Sequence, residues 1–131
     1  MNDGLKGISI LVVEDDEDTR DLLKVLLEAQ GAAVTITASV PEALTAFERS
    51  RPNVIIADIG MPDYNGYTLI GRVRSRDREK GKMVPAIALT AFTTAIDRDT
   101  VLSSGFQVHM PKPFEANHLI SVIAELAAKY G

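Results

Sequence analysis

Asp58 closes the apolar run Val54 to Ala57, and Gly60, Met61 and Pro62 follow it within four positions. A β-branched run closed by turn formers predicts a fully buried strand, so Asp58 stands where a strand leaves the core. Three other pieces have the same character. Glu14 and Asp15 follow the run Ile8 to Val13, Thr90 ends the run Pro85 to Leu89, and Lys112 sits in Pro111-Lys112-Pro113 after Phe106 to His109. If the first and third strands are neighbours, three carboxylates share one cleft. Each like-charge pair at ~4 Å costs about 4 kcal/mol at an effective dielectric near 20. Either some take up protons or a cation neutralises them. A few hard oxygen donors suit Mg²⁺, which keeps positions open for phosphate oxygens, and the Gly60 backbone carbonyl is a further candidate ligand. Asp58 is then a candidate nucleophile, since carboxylates form aspartyl phosphates. Phosphoryl transfer asks mainly for positioning and charge neutralisation. Lys112 supplies a second cation, and the Thr90 hydroxyl with the Ala91 backbone N–H can donate to a third phosphoryl oxygen.

Taken singly, each piece has a plainer role. An Asp after a strand is usually a turn or cap residue. The five acids Glu14 to Asp18 suit a helix start, where negative charge meets the positive end of the helix dipole. Thr90 alone reads as a cap and Pro-Lys-Pro as a loop; it is their joint occurrence at four strand ends that points to chemistry. Gly66 to Gly71 has phosphate-loop spacing, but Arg72-Val73 stands where Lys and Ser/Thr are needed. The acid run lacks the glycine and closing Glu of a calcium loop. His109 and His118 have no second nitrogen ligand near them in sequence, which leaves zinc without support.

The elements that must position these residues alternate. Helices are predicted over Asp16 to Gln30, burying Leu22, Leu23, Leu26 and Leu27, and from the capping box Ser39 to Glu42 on to about Ser50. Others follow over Tyr67 to Arg78, Thr93 to Ser104 and Glu115 to Lys129. A further strand is predicted at Ala33 to Thr37. The charged stretch Arg72 to Lys82 reads as an exposed helix end and a solvated loop. Five β-α units with short links imply a parallel sheet with helices on both faces, where ligands gather at the carboxyl ends of the strands.

The 131 residues suit one compact domain. The absence of Cys excludes disulfides and thiolate metal sites. No apolar run approaches the roughly 20 residues of a membrane span, and MNDGLKG has no secretory pattern, so a cytoplasmic protein or domain is expected. The net charge of −4 and the lack of a basic stripe speak against direct nucleic-acid binding.

The chain resembles the receiver domain of two-component response regulators over essentially its whole length. The resemblance rests on Glu14-Asp15, Asp58-Ile-Gly-Met61-Pro62 with Gly66 eight positions on, Thr90-Ala91, and Lys112-Pro113. It implies a flavodoxin-like doubly wound (βα)5 fold, a five-stranded parallel sheet in order 2-1-3-4-5. As a single receiver domain of residues 1–131, with its core at about 8–129 and no output domain, the chain would take a phosphoryl group on Asp58. The donor would be a histidine kinase or histidine phosphotransfer protein. Asp15, Asp58 and the Gly60 carbonyl would hold Mg²⁺, with Glu14 acting through water. Lys112 would pair with the phosphoryl group, and the Lys112–Pro113 peptide is expected cis. The domain would catalyse its own phosphorylation and slow dephosphorylation without being a metabolic enzyme. Thr90 and His109 would be its switch residues, and the surface around the fourth and fifth strands would change. A downstream protein or an attached kinase would read that change from a monomer or weak dimer. Gly60 and Phe92 stand where the family often has polar side chains, and His109 where it usually has Tyr or Phe. GFQVHMPKPF looks most like receivers of hybrid kinases. Two rivals are an aspartyl-nucleophile phosphatase and a receiver-like module that is never phosphorylated. The first needs Asp-x-Asp-x-Thr, and Thr19 falls one place too early after Asp16 and Asp18. The second would be favoured by loss of an acid, Thr90 or Lys112, all of which are present.

Overall fold

The computed structural model describes residues 3–59, 66–90 and 95–130. Its strands are β1 (Ser9–Val13), β2 (Ala33–Thr37), β3 (Val54–Asp58), β4 (Ala86–Thr90) and β5 (Val108–Pro111). Its helices are α1 (Glu17–Glu28), α2 (Val40–Ser50), α3 (Gly66–Lys80), α4 (Ala95–Ser103) and α5 (Ala116–Tyr130). The strands form one parallel sheet in the order β2-β1-β3-β4-β5. This is the flavodoxin-like doubly wound arrangement, and the order reverses between β1 and β3, where such folds place their ligands. Lys112–Pro113 is cis.

Every residue of β3 and β4 is buried, as parallel strands covered on both faces require. On one face Leu11, Ile55 and Ala88 pack under Phe47 of α2, Leu69, Ile70 and Val73 of α3, and Val101 of α4. On the other, Ile10, Val12, Ile56 and Leu89 pack under Leu23 and Leu27 of α1 and Leu119 and Ile123 of α5. Local chemistry starts the helices. Asp16 accepts from the Thr19 N–H at 2.9 Å, and Ser39 Oγ accepts from the Glu42 N–H at 3.3 Å. Glu42 reaches back to the Ala38 N–H at 3.1 Å, one residue beyond the usual box partner, the Ser39 N–H. Glu115 accepts from the N–H groups of Asn117 and His118.

Three expectations change. On α1 only Leu23 and Leu27 are fully buried, and Leu22 is 56% exposed, because a stripe of four leucines is wider than the contact α1 makes with the sheet. Arg74 and Asp77 lie inside the charged stretch read as solvated, yet their side chains are only 14% and 6% exposed. Both extend the core-facing side of α3, since Asp77 follows Val73 by one helical turn. Strand β5 begins two residues later than Phe106 and includes Pro111. An edge strand tolerates a residue without an N–H, and the Lys112 N–H donates to the Thr90 carbonyl at 2.8 Å. Helix α4 begins at Ala95, and Thr93 and Thr94 lie outside the described residues. Among the described residues no helix is long and apolar enough to cross a membrane.

Candidate functional site

Parallel pairing brings the carboxyl ends of β1 and β3 side by side, with Val13 in register with Ala57. The residues that follow, Glu14 and Asp58, therefore leave the sheet as neighbours. The Glu14 N–H donates to the Thr37 carbonyl at 3.0 Å, which fixes where the chain leaves β1. Arg20 of α1 then holds the acidic turn from outside: its Nη1 donates to the carbonyls of Glu14 at 3.1 Å and Asp15 at 3.2 Å. This role of Arg20 was not anticipated from the sequence. Its signal there was only a basic residue one helical turn past the Asp16 cap.

One carboxylate oxygen each from Glu14, Asp15 and Asp58 lies within 4.8 Å of the others. Glu14 is buried, Asp58 is buried at 8% exposure and Asp15 is exposed. Lys112 reaches into the group from the end of β5, with Nζ 2.8 Å from Glu14 Oε1 and 3.3 Å from Asp58 Oδ2. At these spacings one ammonium cannot offset three carboxylates, since each like-charge pair costs about 3–4 kcal/mol at an effective dielectric near 20. Burial, followed by hydrogen bonding to Asp58, pushes the Glu14 carboxyl up to about 7, against the pull of Lys112 and the Asp16 N–H. Burial depresses the Lys112 ammonium, but its hydrogen bond to Glu14 and the charges of Glu14 and Asp58 outweigh that and raise it. Burial and the neighbouring Asp58 thus make the charged form of Glu14 costly, and a counter-charge would relieve it. A hard divalent cation with oxygen ligands fits that demand.

Thr90 is buried at the end of β4, in register with Pro111, so it opens at the same end of the sheet. His109 is half-buried within β5, opposite Ala88 and two residues short of that pair. The structure thus brings Glu14, Asp15, Asp58 and Lys112 into direct association and places Thr90 at the same edge. Gly60, Met61, Pro62, Ala91 and Phe92 lie outside the described residues.

The doubly wound sheet carries an acidic cleft at its switch point and a lysine just past its last strand. The response regulator receiver domain pattern matches residues 10–124, and the chain belongs to that family. It is a receiver domain of two-component signalling. It is 45% identical over 121 residues to an uncharacterized 14.6 kDa protein of Leptolyngbya boryana, covering 92% of this chain and 91% of that one. It is 34% identical over 132 residues to hybrid signal transduction histidine kinase D of Dictyostelium discoideum, covering 96% of this chain but 8% of the kinase. The chain spans about half or less of the transcriptional and sensory regulators it also matches. Among solved structures it resembles the receiver domain of a Pseudomonas aeruginosa sensor histidine kinase, with 30% identity and a TM-score of 0.82. That match covers 93% of this chain and 98% of the other, and the other structure has a magnesium ion coordinated in its active site cleft.

Proposed function

We propose that Asp58 accepts a phosphoryl group from a phosphohistidine on a histidine kinase or histidine phosphotransfer protein, in the cytoplasm. The observation that carries this is the surplus of negative charge: three carboxylates meet around one ammonium at the switch point of the sheet. Asp15, Asp58 and the Gly60 carbonyl would hold Mg²⁺, with Glu14 acting through water. When bound, the ion supplies positive charge to the oxygens of the transferring group. An Asp58 carboxylate oxygen forms the new P–O bond, the P–N bond to the donor imidazole breaks, and its electron pair stays on the ring nitrogen, which takes a proton. Lys112 exchanges its contact with Asp58 for one with the phosphoryl group. The Thr90 hydroxyl and the Ala91 N–H donate to the remaining oxygen, and His109 follows the displacement of Thr90.

A macromolecular donor needs a place to dock, and the surface beside Lys112 suits one. Leu22 and Val25 of α1 are exposed at 56% and 68%. Leu22 lines a hollow of about 350 Å³ with Thr19, Lys112, Pro113 and Phe114. This apolar rim suits a donor helix that presents its histidine to the cleft.

Mass spectrometry after incubation with acetyl phosphate and Mg²⁺ tests the proposal. One phosphoryl group is expected, lost with a chelator or in Asp58→Asn. Full labelling of Asp58→Asn would overturn the assignment, and no labelling of the wild type would favour a module that works unphosphorylated.

A further inference from the structure

A second buried polar cluster lies at the opposite end of the sheet, and the chemistry above uses none of it. Arg74 of α3 directs five N–H bonds at acceptors. Nε and Nη2 donate to the Gly105 carbonyl at 3.0 and 2.8 Å. Nη1 donates to Asp77 Oδ2 at 2.5 Å and the Val84 carbonyl at 2.7 Å, and Nη2 also donates to Gln107 Oε1 at 2.9 Å. The partners are tied to each other. Gln107 Oε1 accepts from the Ala86 N–H at 2.7 Å, and Asp77 Oδ2 accepts from the Val84 N–H at 3.2 Å. One planar guanidinium therefore joins α3, the start of β4 and the turn between α4 and β5. Glycine suits position 105 here. Its φ is +127°, and a Cβ there would meet Ile70 Cγ1 at 3.1 Å and Arg74 Cγ at 3.3 Å.

Helix α4 has one buried anchor among its described side chains. Of residues 98–103 only Val101 is buried. The carbonyl that Arg74 grips, that of Gly105, lies two residues past the C-terminal end of α4. Its first turn follows β4 at the Thr90 end of the sheet, so the clamp and the cleft act on opposite ends of the same β4–α4 unit. We infer that Arg74 is the fixed pivot of α4: a change at the cleft moves the end of β4 and the first turn of α4, while Val84–Ala86 and Ser104–Gln107 stay in place. A charge-assisted, planar, fully used donor set resists displacement. The inference rests on the reading of Asp58 as phosphoacceptor.

Amide hydrogen exchange of the whole chain, with and without beryllofluoride and Mg²⁺, tests it. In the wild type, exchange should change at Leu89, Thr90 and the first turn of α4, and by less than about twofold at Ala86 and Ser104–Gln107. In Arg74→Met the latter amides should exchange at least about tenfold faster, and the beryllofluoride response should spread to them. A wild-type response as large at Ser104–Gln107 as at the first turn of α4 overturns the pivot, as does an Arg74→Met protein with wild-type exchange. If Arg74→Met does not fold, Arg74→Lys is measured the same way, and the wild-type pattern alone already decides. Unchanged amides at Asp58 and Lys112 overturn the phosphoacceptor reading and the pivot with it. A cleft response with both ends of α4 moving overturns the pivot alone.

Discussion

Two ionic clusters sit at opposite ends of the same sheet, and they differ in balance. At the amino ends of β4 and β5, Arg74 faces Asp77, and each guanidinium N–H meets an acceptor supplied by the fold. Among the described residues only Asp77 Oδ1 is buried there without a partner. At the carboxyl ends, three carboxylates crowd around Lys112. The first cluster is balanced in charge within the protein. The second is incomplete, and what it lacks is positive charge. Buried charge does not mark function by itself; an unmatched surplus of one sign in an open cleft does.

The comparison predicts opposite responses to losing a charge. Asp77→Ala leaves the Arg74 guanidinium buried without its counter-ion, and stability should fall by roughly 3–5 kcal/mol. Urea unfolding midpoints at constant slope would measure it. A loss below 1 kcal/mol would break the distinction. Next in size is a pH effect. The folded-state Glu14 carboxyl sits near 7, above its ordinary value of 4.5, so between those pH values the folded protein binds more protons than the unfolded chain. Without metal, stability from this residue should therefore be full below pH 4.5 and decline as pH rises through 7, by roughly 2–3 kcal/mol. The measurable quantity is wild type minus Glu14→Gln across pH, and Mg²⁺ should flatten it. A difference that grows with pH would reverse the assignment.

A smaller effect sharpens the contrast. Asp58→Asn relieves like-charge repulsion and should stabilise the metal-free protein by about 1 kcal/mol, where the same kind of change at Asp77 destabilises. Equal losses in thermal unfolding at both sites would erase the difference between the clusters. The smallest stability change belongs to the exposed rim. Leu22→Glu and Val25→Glu should alter stability by no more than about 0.5 kcal/mol. They should slow phosphotransfer from a phosphohistidine protein by about tenfold and leave acetyl phosphate labelling unchanged. Equal slowing with both donors would place the defect in the cleft instead.

Much of this was legible in the residues. The alternation of β-branched runs and amphipathic stretches defined five units, and β2 and β3 have the boundaries their composition suggests, because turn formers bracket them. Glu14, Asp15, Asp58 and Lys112 were legible as one site because parallel topology sends all strand ends the same way. The Arg74 cluster was hidden. A run such as RVRSRDREKGK looks solvated unless helical phase is followed past Val73, and its acceptors are main-chain carbonyls, which carry no signature in composition. The end of β5 was misplaced for a related reason: Pro111 argues against a strand until one knows that the strand lies at an edge.

The strand order also bears on synthesis at the ribosome. β1 is flanked by β2 and β3, yet β3 emerges roughly 40 residues later, about 2–8 s at ordinary elongation rates. For that interval one side of an apolar strand, Ile10 to Val13, has no neighbour. The acids Glu14 to Asp18 come directly after it. Whatever they do in the finished cleft, they also put a block of charge beside an open edge when it is most exposed to pairing with another nascent chain.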